Sequence, residues 1–425
     1  MTLKKFQPID ALTVFKNGTK VGELRLERQG IYFVYDRNWL ATGYNLSPIT
    51  MTFDDKPQLA EDIRLFDGLH GAFADSLPDG WGMLLMDRFF NGKFGDGTAY
   101  KLTALDRLSY MNDRGMGAFE YQPTSERAEL LGQLNLAQLF EDSIEVQEGE
   151  LSNVLDSLRL AGGSPGGARP KTIVALSPDL KYASSAFDDI PHDYSHWIVK
   201  FRALHEPKEM GAIEFAYAEM AKRAGVEMAE STLLDVKLNN GEHERFFATK
   251  RFDRVGKNKI HMMTVSALLY ANYRMPSMEY MSLLKLTQYL TEDAGEVEKM
   301  ARLMIFNALS HNHDDHTKNF SFLCHDSSNG QKGTWKLSPA YDLTFSNAMR
   351  GGHTTGFGGR NSGKPTRKRI KEICKDYRYL NADDYIDATL ESLSNWKNIF
   401  EELDIPHQAG IGIFNVLDDI HREFN

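Results

Sequence analysis

A chain of 425 residues is longer than one hydrophobic core ordinarily organises, so two or three domains are expected. Hydrophobic residues make up 42% and charged residues 25%, the balance of a globular protein rather than a disordered one. A formal net charge of −10 argues against a dominant nucleic-acid surface, which needs clustered cations to displace counterions. No window approaches the roughly 18 apolar residues that span a bilayer. The N-terminal MTLKKFQPIDALTVF lacks the apolar run of a secretory signal. With only Cys324 and Cys374 present, no disulfide framework can form, and a cytoplasmic, reduced protein without membrane association is expected.

The chain opens β-rich. Leu12-Thr13-Val14-Phe15, then Lys16-Asn17-Gly18, then Val21 to Leu26 reads as a hairpin, because Asn-Gly tolerates the positive φ of a tight turn. Ile31 to Tyr35 is a further strand. FADSLPDGWG, ending at Gly82, contains a turn ahead of a helix expected to start at Met83. From about 128 to 160 the pattern is helical and acidic, and the glycine-rich LAGGSPGGARPKTIVAL follows from Leu160. HWIVKF, His196 to Phe201, is a short strand carrying a lysine. In GAIEFAYAEMAKRAGV, the residues Ile213, Ala216, Tyr217, Met220 and Ala224 share one helical face. FFATKRFDR, from Phe246, runs as a strand into a loop. Beyond about 256 helices dominate, with Val297, Met300, Ala301, Met304 and Ala308 forming an apolar stripe. Arg367-Lys368-Arg369, with Lys364 and Lys371, reads as a solvated helix face. The expected class is α+β. The expected divisions are a β-rich region at 1–125, a mixed lobe at 126–255 and a helical lobe at 256–425.

The densest chemistry lies in HNHDDHTKNF, His311 to Phe320. A zinc site on His311, His313 and His316 is one reading, although HxHxxH matches no established zinc spacing and both cysteines lie outside it. A polar helix-ending loop is a second. The third is phosphoryl transfer, which needs a carboxylate to take a hydroxyl proton and oxygen ligands for Mg²⁺. Asp314 and Asn319 have the Asp-x4-Asn spacing of a protein-kinase catalytic loop. Phe320 to Leu323 and Trp335 to Leu337 are strand candidates whose return would deliver Asp342 beside Asn319. Upstream, phosphates call for a glycine-rich turn and a strand-borne cation, and Gly162, Gly163, Gly166, Gly167 and Lys200 occupy that order. Lys200 on an exposed edge strand is the plainer alternative. Glu214 or Glu219 would pair with Lys200, and FFATKRF lies where backbone groups would meet adenine. Gly358 to Pro365 mimics a phosphate-binding loop, but proline follows Lys364 where Ser or Thr would bind the metal.

The sequence resembles the HipA family, bacterial toxin kinases of type II toxin–antitoxin modules. The resemblance rests on Asp314-Asp315-His316-Thr317-Lys318-Asn319, Tyr341-Asp342, the lysine of HWIVKF, Arg251-Phe252-Asp253-Arg254 and FADSLPDGWG, and it spans almost the whole chain. It implies a two-lobed, protein-kinase-like fold and an ATP- and Mg²⁺-dependent serine/threonine kinase. In that family's terms Asp314 would be the base and Lys318 would neutralise charge on the moving phosphoryl group. Asn319 and Asp342 would bind magnesium. Lys200, Lys171, Gly163, Ser164, Gly166, Gly167, Lys250 and Phe252 would contact the nucleotide. Ser164, seven residues before Lys171, would be the self-inactivating phosphorylation site. The family further implies a HipB-like helix-turn-helix antitoxin, which would supply the contact with DNA, and substrates that include aminoacyl-tRNA synthetases. Arg169-Pro170 replaces the Gln-Glu of some relatives, and Lys250 replaces a Glu. A small-molecule phosphotransferase and a non-catalytic co-repressor are the competing readings.

Overall fold

The computed structural model describes residues 5–125, 132–149, 158–159, 161, 167–187, 190–275, 278–326, 333–347, 352–358 and 364–424. The chain forms two compact units. The first comprises Met1–Glu206, Leu234–Tyr270 and Leu323–Thr334. The second comprises Pro207–Leu233, Ala271–Phe322 and Trp335–Asn425.

The first unit is built on a five-stranded and a six-stranded sheet, beside a two-stranded ribbon of Arg254–Val255 and Asn258–Lys259. β1 (Ala11–Lys16) and β2 (Thr19–Glu27) pair antiparallel through a turn in which Asn17 and Gly18 have φ of 48° and 79°. This is the conformation that the Asn-Gly pair favours. Strict alternation buries Leu12 and Val14, and β3 (Gly30–Tyr35) repeats the pattern with Ile31, Phe33 and Tyr35. β4 (Gln58–Leu59) and β5 (Phe119–Gln122) close the order β4-β3-β2-β1-β5. A helix then runs over Trp81–Phe94, starting two residues before the expected Met83 because Gly80, at φ 45°, supplies the sharp entry.

The second sheet is six-stranded. β6 (Gln133–Leu134), β7 (Lys171–Leu176), β8 (Ala183–Ser185), β9 (Ser195–Lys200), β10 (Ser231–Lys237, joining this unit from Leu234) and β11 (His243–Lys250) lie in the order β10-β11-β9-β7-β8-β6. Both faces are covered. Val174, Leu176, Trp197, Val199, Phe246 and Ala248 pack on one side with the helix Leu136–Glu148. Ile173 and Ile198 pack on the other with Met116, Phe187 and Met262. Two-sided burial explains why KTIVAL and HWIVKF read as continuous apolar runs rather than alternating ones.

The second unit is mostly helical. The helix Met210–Arg223 buries Ile213, Ala216, Tyr217 and Met220, as its periodicity predicts. The stripe Val297, Met300, Ala301, Met304 and Ala308 is fully inward on the helix Ala294–Leu309. The Tyr217 hydroxyl donates to the Ser310 carbonyl at 2.9 Å, tying the first helix to the end of the second. The basic helix Arg367–Cys374 presents a largely exposed face, as expected, and most of its cations form surface ion pairs. Arg367 reaches Asp383 and Asp387, Lys371 reaches Asp383, Arg369 reaches Glu372 and Lys364 reaches Glu423.

Candidate active site

In the first unit, antiparallel pairing sets Lys171 of β7 directly opposite Lys200 of β9. Both are buried, at 6% and 7% exposure, on a strand that is central rather than at an edge. Directly opposed residues have Cβ atoms about 5 Å apart, and like charges there repel. Burial of two ammonium groups in this register is costly, which makes the pair a feature the fold must compensate. Phe247 sits across from Lys200 on β11, and the Lys200 ammonium lies 5.5 Å from its ring centroid. Lys250 pairs with Trp197 and its ammonium lies 6.0 Å from the indole, on the opposite face of the sheet from Lys200. The sheet therefore separates the Lys250 side chain from those of Lys171 and Lys200. Phe252 is partly buried against Ile173 and Ile198, on the lysine side.

The glycine-rich segment is known at its ends. The Thr172 hydroxyl donates to the Ala161 carbonyl at 2.8 Å, and Gly167 has φ of 100°. The departures at 169–170 fit locally: Arg169 pairs with Glu206 at 3.0 Å, and the Phe201 amide donates to the Pro170 carbonyl. Gly163, Ser164 and Gly166 lie outside the described residues.

In the second unit, the helix Ala294–Leu309 ends into the histidine-rich segment, with His311 at φ 55°. The Asp314 side chain is 56% exposed, and His316 Nε2 stands 3.8 Å from its carboxylate. The Asn319 side-chain amide donates to the Asp314 carbonyl at 2.7 Å, which closes the Asp-x4-Asn loop on itself. That bond uses the amide nitrogen and leaves the amide oxygen for another partner. Lys318 rests over the Tyr273 ring at 4.4 Å. The following segment returns as expected. The Ser338 amide donates to the Ser321 carbonyl at 2.9 Å, and the Tyr341 hydroxyl donates to the Lys318 carbonyl at 2.8 Å while also bonding Ser321. The residues before Asn319 and before Asp342 are therefore joined directly. Asp342 has φ of 58°, a strained setting for a non-glycine residue of the kind that collects at functional sites. A carboxylate and an amide oxygen suit a hard cation such as Mg²⁺.

The three histidines are occupied by packing. His311 and His313 rings stand 3.8 Å apart, His313 and His353 4.4 Å, and His316 lies against Tyr273. Burial and the neighbouring His353 and His311 push the His313 pKa down to about 4. No group of three or more His, Cys, Asp or Glu among the described residues is arranged to hold a metal ion. Of the two glutamates, Glu219 pairs with Lys222 on its own helix at 2.7 Å, whereas Glu214 is 1% exposed.

Sequence reasoning missed Asp315. Its buried carboxylate accepts from the Tyr280 hydroxyl at 2.6 Å, His353 Nδ1 at 2.9 Å and the amides of Thr354 and Thr355 at 2.7 and 3.0 Å. Asn307 donates to the Tyr280 hydroxyl, and Asn312 donates to Asn307. This network fixes the segment that carries Asp314. The doubled aspartate was the available signal, since two adjacent carboxylates rarely share one environment.

Two family models match the chain, the HipA N-terminal domain over residues 12–122 and the HipA-like C-terminal domain over residues 163–402. The chain belongs to the HipA family. Among solved structures it resembles HipA from the Shewanella oneidensis MR-1 complex of HipA, HipB and operator DNA. The TM-score is 0.65 at 15% identity, over 97% of this chain and 96% of that one. At that identity the likeness is one of fold. The putative kinase Y4dM of Sinorhizobium fredii is 28% identical over 156 residues, 35% of this chain. The match spans 36% of that relative's length, about a third. No helix among the described residues is long and apolar enough to cross a membrane.

Proposed function

We propose that this HipA-family chain is an ATP- and Mg²⁺-dependent serine/threonine protein kinase that arrests growth as a toxin. The observation that carries the reading is the tether from Tyr341 to the Lys318 carbonyl, which joins the loop bearing Asp314 and Asn319 to the segment bearing Asp342. Asp314, exposed beside His316, takes the proton of the attacking hydroxyl as its oxygen bonds to the γ-phosphorus of ATP and the bond to ADP breaks. Asn319 and Asp342 would hold Mg²⁺, which would supply positive charge to offset that of the phosphates. Lys318 balances charge on the transferred group. Lys171 and Lys200 bind the phosphates.

The same reading assigns Ser164 as the site of self-phosphorylation. A doubly charged group there competes with ATP phosphates for the same cations. A HipB-like helix-turn-helix antitoxin is the proposed partner, supported by the composition of the Shewanella complex. DNA contact through that partner suits a chain with net charge −10 and a paired basic helix. A translation component such as an aminoacyl-tRNA synthetase is the proposed target class.

Incubation with magnesium and γ-labelled ATP, followed by peptide mapping, tests this. Label on Ser164 in wild type and its loss in Asp314→Ala are expected. Equal label in both removes Asp314 as the base. No label on the protein or on any component of a cell lysate removes the kinase reading.

A further inference from the structure

The FADSLPDGWG motif has no part in the chemistry above, yet its turn touches the phosphate loop. The Trp81 amide donates to the Gly167 carbonyl at 3.2 Å. A Cβ placed on Gly80 would lie 2.3 Å from that carbonyl oxygen and 2.9 Å from the Ala168 Cα, so only glycine permits the approach. Gly80 also needs its positive φ of 45°. The Trp81 side chain, 4% exposed, is rooted with Leu85 in the core of the six-stranded sheet beside Val174, Trp197 and Val199. On the far side of the contact, a Cβ at Gly167 would come within 2.9 Å of the Lys171 ammonium. Ala161 and Gly167 are thus each held, the first by Thr172 and the second by the Gly80-Trp81 turn.

We infer that the Gly80-Trp81 turn of the N-terminal region is a positioning element for Gly167 and Lys171, and through them sets the affinity for the phosphates of the nucleotide. The inference rests on the kinase reading above. A turn packed backbone to backbone cannot yield without moving the carbonyl it holds, so a displacement of Gly80 is passed to the residue beside Lys171. Adenosine has no phosphates and is indifferent to it. Coupling of this kind is reciprocal, so occupation of the loop by phosphates must also steady the turn.

The test compares Gly80→Ala with Gly92→Ala, a site in the helix that follows Gly80, where a Cβ meets open space. Calorimetry with MgATP and with adenosine reads the two halves of nucleotide recognition separately. Gly80→Ala should weaken MgATP binding about tenfold or more and change adenosine binding by less than about twofold, while Gly92→Ala changes neither. A general loss of stability would weaken both ligands together and would overturn the inference, as would a folded Gly80→Ala with wild-type MgATP affinity. Hydrogen exchange on the wild-type protein gives a readout that needs no variant. MgATP, but not adenosine, should slow exchange of the Trp81 amide, and equal exchange with the two ligands overturns the proposal. Wild type that binds adenosine and no MgATP removes the kinase reading and this inference with it.

Discussion

Two fully buried aspartates are satisfied in opposite ways. Asp253, in the first unit, accepts from Arg251 at 2.9 and 2.7 Å, Arg254 at 2.9 Å and the Gly117 amide at 2.8 Å. Burial raises its pKa, but the two guanidiniums outweigh that and hold it below the usual carboxylate range. Arg254 in turn is lowered to about 10 by burial and by Arg251, against the pull of Asp253. The guanidiniums also donate to the Gly115 and Gly117 carbonyls, so Arg-Phe-Asp-Arg clamps the loop that leads into β5. Asp315, in the second unit, meets no guanidinium among the described residues. A phenol, an imidazole and two amides hold it. The difference follows from what lies next door. Asp253 is clamped by charge, whereas hydrogen-bond donors orient the segment that carries Asp314, the base of the proposed reaction.

Removing the carboxylate at each place should separate a clamp from a catalytic support. Asp253→Ala leaves two buried guanidiniums without their counterion and should cost about 3–5 kcal/mol in urea unfolding. A cost below about 1 kcal/mol would mean that the clamp is solvated. Acid should act elsewhere first, since Asp253 stays ionised well below neutrality. Burial lowers the His261 pKa to about 4, and it lowers His70 and His196 likewise. The unfolded chain, with histidines near 6.5, takes up protons before the native state does. Their contribution is therefore full above pH 6.5 and declines as pH falls to 4. His261→Gln should flatten that decline by about 1.4 kcal/mol per pH unit, about 3 kcal/mol across the window, read from unfolding curves at several pH values.

Asp315→Asn sets an amide NH₂ against donors that now meet an acceptor, a cost of about 2 kcal/mol. Its larger effect should be on kcat for phosphate transfer, with KM for ATP unchanged. A loss confined to KM would place Asp315 with the nucleotide instead. Tyr280→Phe removes one donor to the same carboxylate and should cost about 1.5 kcal/mol, with a smaller fall in kcat.

Much of the fold was legible. The Asn17-Gly18 turn, the inward face of Met210–Arg223 and the stripe on Ala294–Leu309 are local consequences of turn chemistry and of periods of two and 3.6. The candidate site was legible in part. Asp314, Asn319 and Tyr341-Asp342 carry recognisable spacing, and the structure joins Tyr341 to Lys318. Lys200 was ambiguous because a strand lysine reads alike at an edge and at a centre. The basic run 367–371 reads as a solvated face, which it largely is, but its surface partners Asp383 and Asp387 lie on another helix and were not legible.

By itself the sequence determined what neighbours along the chain decide: strands, helices, turns, and the order of motifs that marks the family. Tertiary structure alone decided which of two adjacent aspartates is buried, which two lysines face each other across strands, and that Gly80 lies under Gly167. Backbone preference acts over a few residues. Burial, register and close approach are set by segments that meet only after folding, and a linear pattern holds no measure of their distance.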